Sequence, residues 1–364
     1  MNLNEPSNEV IDKIIVQVSD GLFQEALDQV NKLLKNYPNN SLLLNIAGAC
    51  NAGLGKLDNA VVLYKKAIDI KPNYAKAHFN LGGTLHDLDQ LQESVESYQA
   101  SIIYEPDYAE AHNNLGNIYR ELSEFENAVN SYERAITLSP EYIQPRYSLA
   151  IMLQHHGDLD SIKHFEQIIL LKPDFAEAHN NLGVVFREID RLEDSIDSYN
   201  KAISINPLYS EAHNNLGNVY KELGDLEAAV QCYEKAIEIN PQYPLIHNNL
   251  GNALKELGDL KSAIQCYEKA IEINPDFPDS YNNLGIIYVV QGHFGKAIKS
   301  FEKTISIIND YEDGYINLAY TLKKIGKYDD AIEILKRGLT INADNLEIHN
   351  SLSKLYTENN QLKL

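Results

Sequence analysis

The chain has 364 residues, 44% of them hydrophobic and 23% charged, a balance that excludes extended disorder and provides for a buried core. Its 31 Lys and Arg stand against 52 Asp and Glu, a formal net charge of −21. That excess repels a phosphate backbone, so nucleic acid is excluded as a partner and neutral or basic polypeptide is favoured.

The first residues, MNLNEPSNEV, lack the basic start and apolar run of a secretory signal, and no apolar stretch is long enough to cross a bilayer. A cytoplasmic protein without membrane contact is the expectation. Residues 1–6 read as an N-terminal tail. Helix pairs then follow, starting at Ser7, Ser41, Ala75, Ala109, Ile143, Ala176, Ser210, Pro244, Pro278 and Glu312. This makes 7–345 one repeat array and 346–364 a capping helix.

The first pair is worn. Its opening helix has Ile14 where later copies carry a small residue, as suits an end repeat with a single neighbour. The interval between copies is 34 residues, except in the fifth. The eighth position is small (Gly48, Gly82, Gly116, Ala150, Gly183, Gly217, Gly251, Gly285, Ala319), where two helices of a pair must approach closely. A second notch recurs at the twentieth position, as in Ala60, Ala128, Ala229 and Ala263. One helical turn later an aromatic follows (Tyr64, Tyr98, Tyr132, Tyr199, Tyr233, Tyr267, Phe301) and fills the space between pairs. Glycines such as Gly55, Gly157 and Gly224 fall where the first helix ends, and prolines such as Pro72, Pro106 and Pro241 follow the second.

The fifth copy, Ile143 to Phe175, has only 33 residues, because Leu159 reaches Phe165 in six steps where Leu226 reaches Tyr233 in seven. It also carries Pro145 in the first turn of its first helix, and a local change of superhelical pitch is expected there. At the end of the chain Ile348, Leu352, Leu355 and Tyr356 share one side of the last helix and polar residues lie elsewhere, the pattern of a cap. Capped, polar ends predict a monomer.

The recurring phrase H-N-N-L-G-N-x-Y, then A-x3-Y, then P resembles the tetratricopeptide signature W-x2-L-G-x2-Y, A-x3-F, P, with His or Tyr replacing Trp. The resemblance covers residues 7 to 345. It implies an all-α fold, an α-solenoid in which about ten helix-turn-helix repeats wind into a right-handed superhelix. It also implies that the first helix of each pair lines the concave wall. The function implied is protein–protein interaction by a scaffold, with no cofactor and no catalysis.

On those first helices the sixth position is Asn in seven copies: Asn80, Asn114, Asn181, Asn215, Asn249, Asn283 and Asn317. Asn is a middling helix former that competes for its own backbone, so its repeated use needs a reason. A carboxamide both donates and accepts, and a row of them suits clamping the backbone of an extended peptide without reading its sequence. Asn113, Asn180, Asn214, Asn248 and Asn282 at the fifth position are expected to make the central groove rich in amides, and Asn117, Asn218 and Asn252 at the ninth add to the expected peptide-binding set. The row is similar to the asparagine ladder in the tetratricopeptide arm of O-linked N-acetylglucosamine transferases. That similarity leaves a second reading open, the substrate-recruiting arm of a glycosyltransferase whose catalytic domain is absent from this chain. A third reading is that some of the asparagines are inherited through duplication, since the copies from Ser210 and Pro244 share KELGDL. Glu110, Glu177, Glu211, Asp279 and Asp313 occupy the second position, where family members that grip a C-terminal carboxylate carry Lys, so acidic tails are not expected ligands.

Six histidines, His78, His112, His179, His213, His247 and His349, share the fourth position. Equivalent residues on stacked repeats lie too far apart to converge on one ion, so packing with a hydrogen bond is expected rather than metal. The three cysteines, Cys50, Cys232 and Cys266, do not form a disulfide framework. No phosphate-binding loop, zinc motif or nucleophile elbow is present.

Overall fold

The computed structural model describes residues 6–362, so the expected tail lies outside the described residues except for Pro6, and the last two residues lie outside them too. The described chain is an all-α solenoid of helix pairs with a closing helix. The first pairs are α1 (Asn8–Ser19) with α2 (Phe23–Asn36), α3 (Ser41–Gly53) with α4 (Leu57–Ile70), and α5 (Ala75–Asp87) with α6 (Leu91–Tyr104). Next come α7 (Ala109–Glu121) with α8 (Phe125–Leu138), α9 (Ile143–His155) with α10 (Asp160–Leu171), and α11 (Ala176–Glu188) with α12 (Leu192–Ile205). The remainder are α13 (Ser210–Glu222) with α14 (Leu226–Ile239), α15 (Pro244–Glu256) with α16 (Leu260–Ile273), α17 (Pro278–Val290) with α18 (Phe294–Ile307), and α19 (Glu312–Lys324) with α20 (Tyr328–Ile341). The helix α21 (Leu346–Leu362) ends the series. The helices form two compact units, residues up to Asn181 and residues from Leu182. From α1 to α10 and from α12 to α21 each helix packs on the next in the chain, and first helices also touch across a repeat, as α5 does α7 and α15 does α17.

Close approach of the two helices in a pair is fixed by the notch and its filler. A Cβ added at Gly217 would stand 2.7 Å from the Tyr233 ring, and one at Gly251 would stand 2.6 Å from Tyr267. The ring lies where a side chain would be, so the glycine is required for packing. Tyr132, Tyr199, Tyr233 and Tyr267 are each fully buried, a burial that contributes about 1.5–3 kcal/mol per ring. In the second unit Tyr233 packs with Ala229 and Ala236 of its own helix and with Ile246, Leu250 and Ala253 of α15. In the first unit Ile14 of α1 is fully buried against Ala26, Val30 and Leu43.

First helices end in a six-residue hydrogen-bonded cap. The amide of Glu124 bonds to the carbonyl of Tyr119 at 2.8 Å and that of Ser123 to Arg120 at 3.0 Å. The residue at the turn takes a positive φ, +80° at Gly224. Three copies lack glycine there and hold Asp89, Ser123 and Asp190 near +60° instead, a conformation that strains a residue with a Cβ.

The fifth copy loses its residue at the start of its second helix. α10 has 12 residues where α8 has 14. Its N-cap residue, Leu159, is itself in the right-handed helical region, while Glu124 before α8 has ψ 72°.

Candidate functional site

The expected binding residues lie on the first helices, and the structure sorts them by depth. Residues at the fifth position are buried: Asn45, Asn113, Asn180, Asn214, Asn248 and Asn282. The seven at the sixth position are half-buried, as are Asn117, Asn218 and Asn252. On a helix these positions turn successively from the packing between repeats towards the open first-helix face.

Six of the seven sixth-position amides are tied to the preceding repeat. In the second unit Asn249 Nδ2 donates to Asn214 Oδ1 at 3.0 Å, Asn283 Nδ2 to Asn248 Oδ1 at 3.1 Å and Asn317 Nδ2 to Asn282 Oδ1 at 3.0 Å. In the first unit Asn80 Nδ2 donates to Asn45 Oδ1 at 3.0 Å. Where the preceding repeat lacks Asn at the fifth position a tyrosine hydroxyl accepts instead: Tyr98 for Asn114 at 3.3 Å and Tyr147 for Asn181 at 3.0 Å. Asn215 Oδ1 in turn accepts from Asn214 Nδ2 at 3.5 Å. Six of the sixth-position carboxamides, those of Asn80, Asn114, Asn181, Asn249, Asn283 and Asn317, therefore join consecutive repeats. The fifth copy has Ser148 at the sixth position, and Oδ1 of the preceding Asn113 is buried without a partner.

The ninth-position asparagines accept from buried tyrosines. Tyr132 Oη donates to Asn117 Oδ1, Tyr233 Oη to Asn218 Oδ1 and Tyr267 Oη to Asn252 Oδ1, all at 2.8 Å. The sequence carried the signal for this. Where the ninth position is Ile151 or Ile286, the corresponding aromatic is Phe165 or Phe301, which has no hydroxyl, whereas Val184 goes with Tyr199, whose buried hydroxyl has no hydrogen-bond partner among the described residues.

A carboxamide has two N–H donors and two acceptor lone pairs. One N–H spent on the preceding repeat leaves acceptor capacity on Oδ1 for a bound chain and, except at Asn249, whose Nδ2 also donates to Asn218 Oδ1 at 3.4 Å, a second N–H. The expected clamp and the observed stacking bond draw on different atoms of the same group.

Histidines at the fourth position strap the loop before their helix. Nε2 of His78 donates to the carbonyl of Pro72 at 2.8 Å, His112 to Pro106 at 3.0 Å and His247 to Pro241 at 3.0 Å. The carbonyl can only accept, so Nε2 carries the proton. Burial holds the pKa of His112 below its ordinary value, against the opposing effect of the Pro106 bond. Among the described residues no three His, Cys, Asp or Glu side chains are placed to share a metal ion. All three cysteines are free thiols, and burial pushes each pKa up to about 11, so the thiolate that would react is scarce at neutral pH.

Charges continue the pattern along the same face. The twelfth position of one repeat faces the thirteenth of the next: His86 Nε2 lies 3.0 Å from Glu121, Arg187 Nε lies 3.7 Å from Glu222, and Lys323 Nζ lies 2.8 Å from Glu358.

Helix pairs of this kind, locked by a small residue against an aromatic and repeated at intervals of 34 residues, 33 in the fifth copy, define a helical repeat protein. Family models described as TPR repeat match residues 53–89, 84–122, 185–224, 217–258 and 251–292, and models described as tetratricopeptide repeat match 109–142 and 288–355. Together they span more than half of the chain, which belongs to the tetratricopeptide repeat family. Repeats of this family generally mediate protein–protein interactions, which makes the chain an interaction scaffold. Two solved structures are similar over part of the chain. "Crystal structure of MamA protein" is 26% identical with a TM-score of 0.43, covering 46% of this chain and 92% of that one. "Crystal structure of MamA" is 27% identical with a TM-score of 0.42, covering 44% and 95%. No curated protein matches the chain. Among the described residues no helix is long and apolar enough to cross a membrane.

Proposed function

We propose that this chain is a non-catalytic scaffold that binds extended polypeptide segments of neutral or basic character along its first-helix face. The observation that carries the reading is the row of half-buried sixth-position amides, six of which bond through Nδ2 to the preceding repeat and keep acceptor capacity on Oδ1. Asn80, Asn114, Asn181, Asn215, Asn249, Asn283 and Asn317 would hold the peptide backbone, and the net charge of −21 would favour basic segments. Each backbone bond contributes roughly 0.5–1.5 kcal/mol and ordering the peptide costs several kcal/mol, so affinity falls in the micromolar range.

The test uses fluorescence anisotropy with the whole chain and a labelled peptide of about twenty residues, rich in alanine, proline and lysine. Asn215→Ala with Asn249→Ala should weaken binding about tenfold while circular dichroism shows an intact fold. Full affinity in that double variant overturns the amide clamp.

A further inference from the structure

The line of charges on the first-helix face is interrupted at two places within the first unit. Asp87 stands at the thirteenth position, where the preceding repeat supplies Ala52 in place of a cation. Arg120 stands at the twelfth, where the following repeat supplies His155 in place of a carboxylate. Between them the His86–Glu121 pair is intact. Asp87 and Arg120 thus lack the partner that the pattern gives their counterparts, and both are exposed.

Both residues line cavities. Asp87 borders one of about 370 Å³ whose wall includes Asn80, Thr84, Tyr98 and Asn117. Its space comes from Gly83, which occupies the ninth position where Asn117, Asn218 and Asn252 stand in other repeats. A Cβ there would meet only Tyr98 Oη, at 3.3 Å. Arg120 borders a second cavity of about 400 Å³ with Glu121, Gln144, Tyr147 and Ile151, and the Glu121 carboxylate there is already paired with His86 at 3.0 Å, which leaves Arg120 as the cavity's unpaired charge. The two cavities share His86 and Asn117, so they adjoin.

We propose that these cavities are adjacent side-chain subsites of opposite sign, which select within a bound extended chain a Lys or Arg for Asp87 and an Asp or Glu for Arg120. The inference rests on the groove reading above and gives it a specificity. A basic side chain fits the first cavity because a carboxylate stands beside neutral acceptors, the Asn80 and Asn117 oxygens, and an aromatic wall. First helices of neighbouring repeats pack at ~8–10 Å. Three residues of polyproline II chain advance ~9 Å and return to the same side, so the two charges belong three residues apart.

Two labelled proline- and alanine-rich decapeptides of identical composition test this, one containing Lys-Pro-Ala-Glu and the other Glu-Pro-Ala-Lys. Equal composition removes non-specific charge attraction from the comparison. The whole chain should prefer one order by about fivefold, and the preference should shrink at 1 M salt. Asp87→Lys with Arg120→Glu should invert it. Gly83→Asn, which fills the first cavity with the residue other repeats carry, should lower affinity for the favoured order alone. Equal binding of both orders, or an unchanged preference in the charge-reversed variant, overturns the inference. If in addition the twenty-residue basic peptide binds, the groove reading survives; if nothing binds, both fall.

Discussion

Asn249 Nδ2 donates to Asn214 Oδ1 across 3.0 Å, and the two residues belong to consecutive repeats. The same step recurs from Asn283 to Asn248, whose Oδ1 also accepts from Ser280 Oγ at 3.1 Å. The fifth-position residue is therefore buried with two donors aimed at it, while the sixth-position residue keeps an open side. Stability and binding should separate accordingly. Asn248→Ala is expected to lower unfolding free energy by about 1–3 kcal/mol, because it orphans buried donors, and to leave peptide affinity nearly unchanged. Asn249→Ala should lower stability by about 0.5–1.5 kcal/mol and weaken peptide binding. Urea denaturation and anisotropy on both variants check this, and the reverse ranking would show that the half-buried row serves packing alone.

The tyrosine hydroxyls give a second separation. Tyr233 is fully buried and its Oη bonds to Asn218 Oδ1. Asn218→Ala leaves that hydroxyl without its acceptor and is expected to cost about 1–3 kcal/mol. Tyr233→Phe in the same chain should recover most of the loss, as the pairing of Ile286 with Phe301 implies. A double-mutant cycle by thermal unfolding measures the coupling. Additive losses would show that the bond contributes nothing.

How far these relationships were legible in the sequence depends on what each requires. The helix pairs were, because glycine at Gly217, tyrosine at Tyr233 and proline at Pro241 mark notch, filler and boundary at fixed spacing. The depth of the asparagines was not: the fifth position reads as part of the same amide-rich groove, whereas packing between repeats buries Asn248 and leaves only Asn249 half-buried. The identity of the acceptors was not. Asn249 lies 35 residues from Asn214 and 31 from Asn218, and a period alone does not say which of two amides a neighbour's side chain reaches. The bond from Asn181 to Tyr147 was hidden for the same reason, since a tyrosine replaces the asparagine expected as partner. The ninth-position bonds to tyrosine were readable only by comparing copies, through the coincidence of isoleucine with phenylalanine.

Strain at the end of α7 offers a stabilising change. Ser123 holds φ 60° where equivalent residues are glycine, such as Gly224 at +80°. Glycine adopts this region without steric cost, so Ser123→Gly is expected to raise stability by about 1 kcal/mol. Asp190→Gly should behave alike. Thermal unfolding of each variant checks the sign, and a lowered Tm in both would show that the strain is already offset by local contacts.

His112 sets an acid dependence whose direction follows from its surroundings. Burial lowers its pKa, the Arg134 cation acts in the same sense, and the bond to the Pro106 carbonyl opposes them. With the folded value below the unfolded value of 6.5, the unfolded chain binds the proton more readily. Stability is therefore fully present above pH 6.5 and is lost as pH falls through the folded value. His164, also lowered chiefly by burial, acts in the same direction. His112→Gln is expected to cost about 0.5–1.5 kcal/mol at pH 8 through the lost loop strap. That deficit should shrink between pH 6.5 and pH 5, because the variant no longer carries the group whose protonation opposes folding. Urea denaturation at pH 8 and pH 5 measures both terms. A deficit that grows in acid would mean that protonated His112 is held more tightly in the fold than neutral His112, the opposite of what its burial implies.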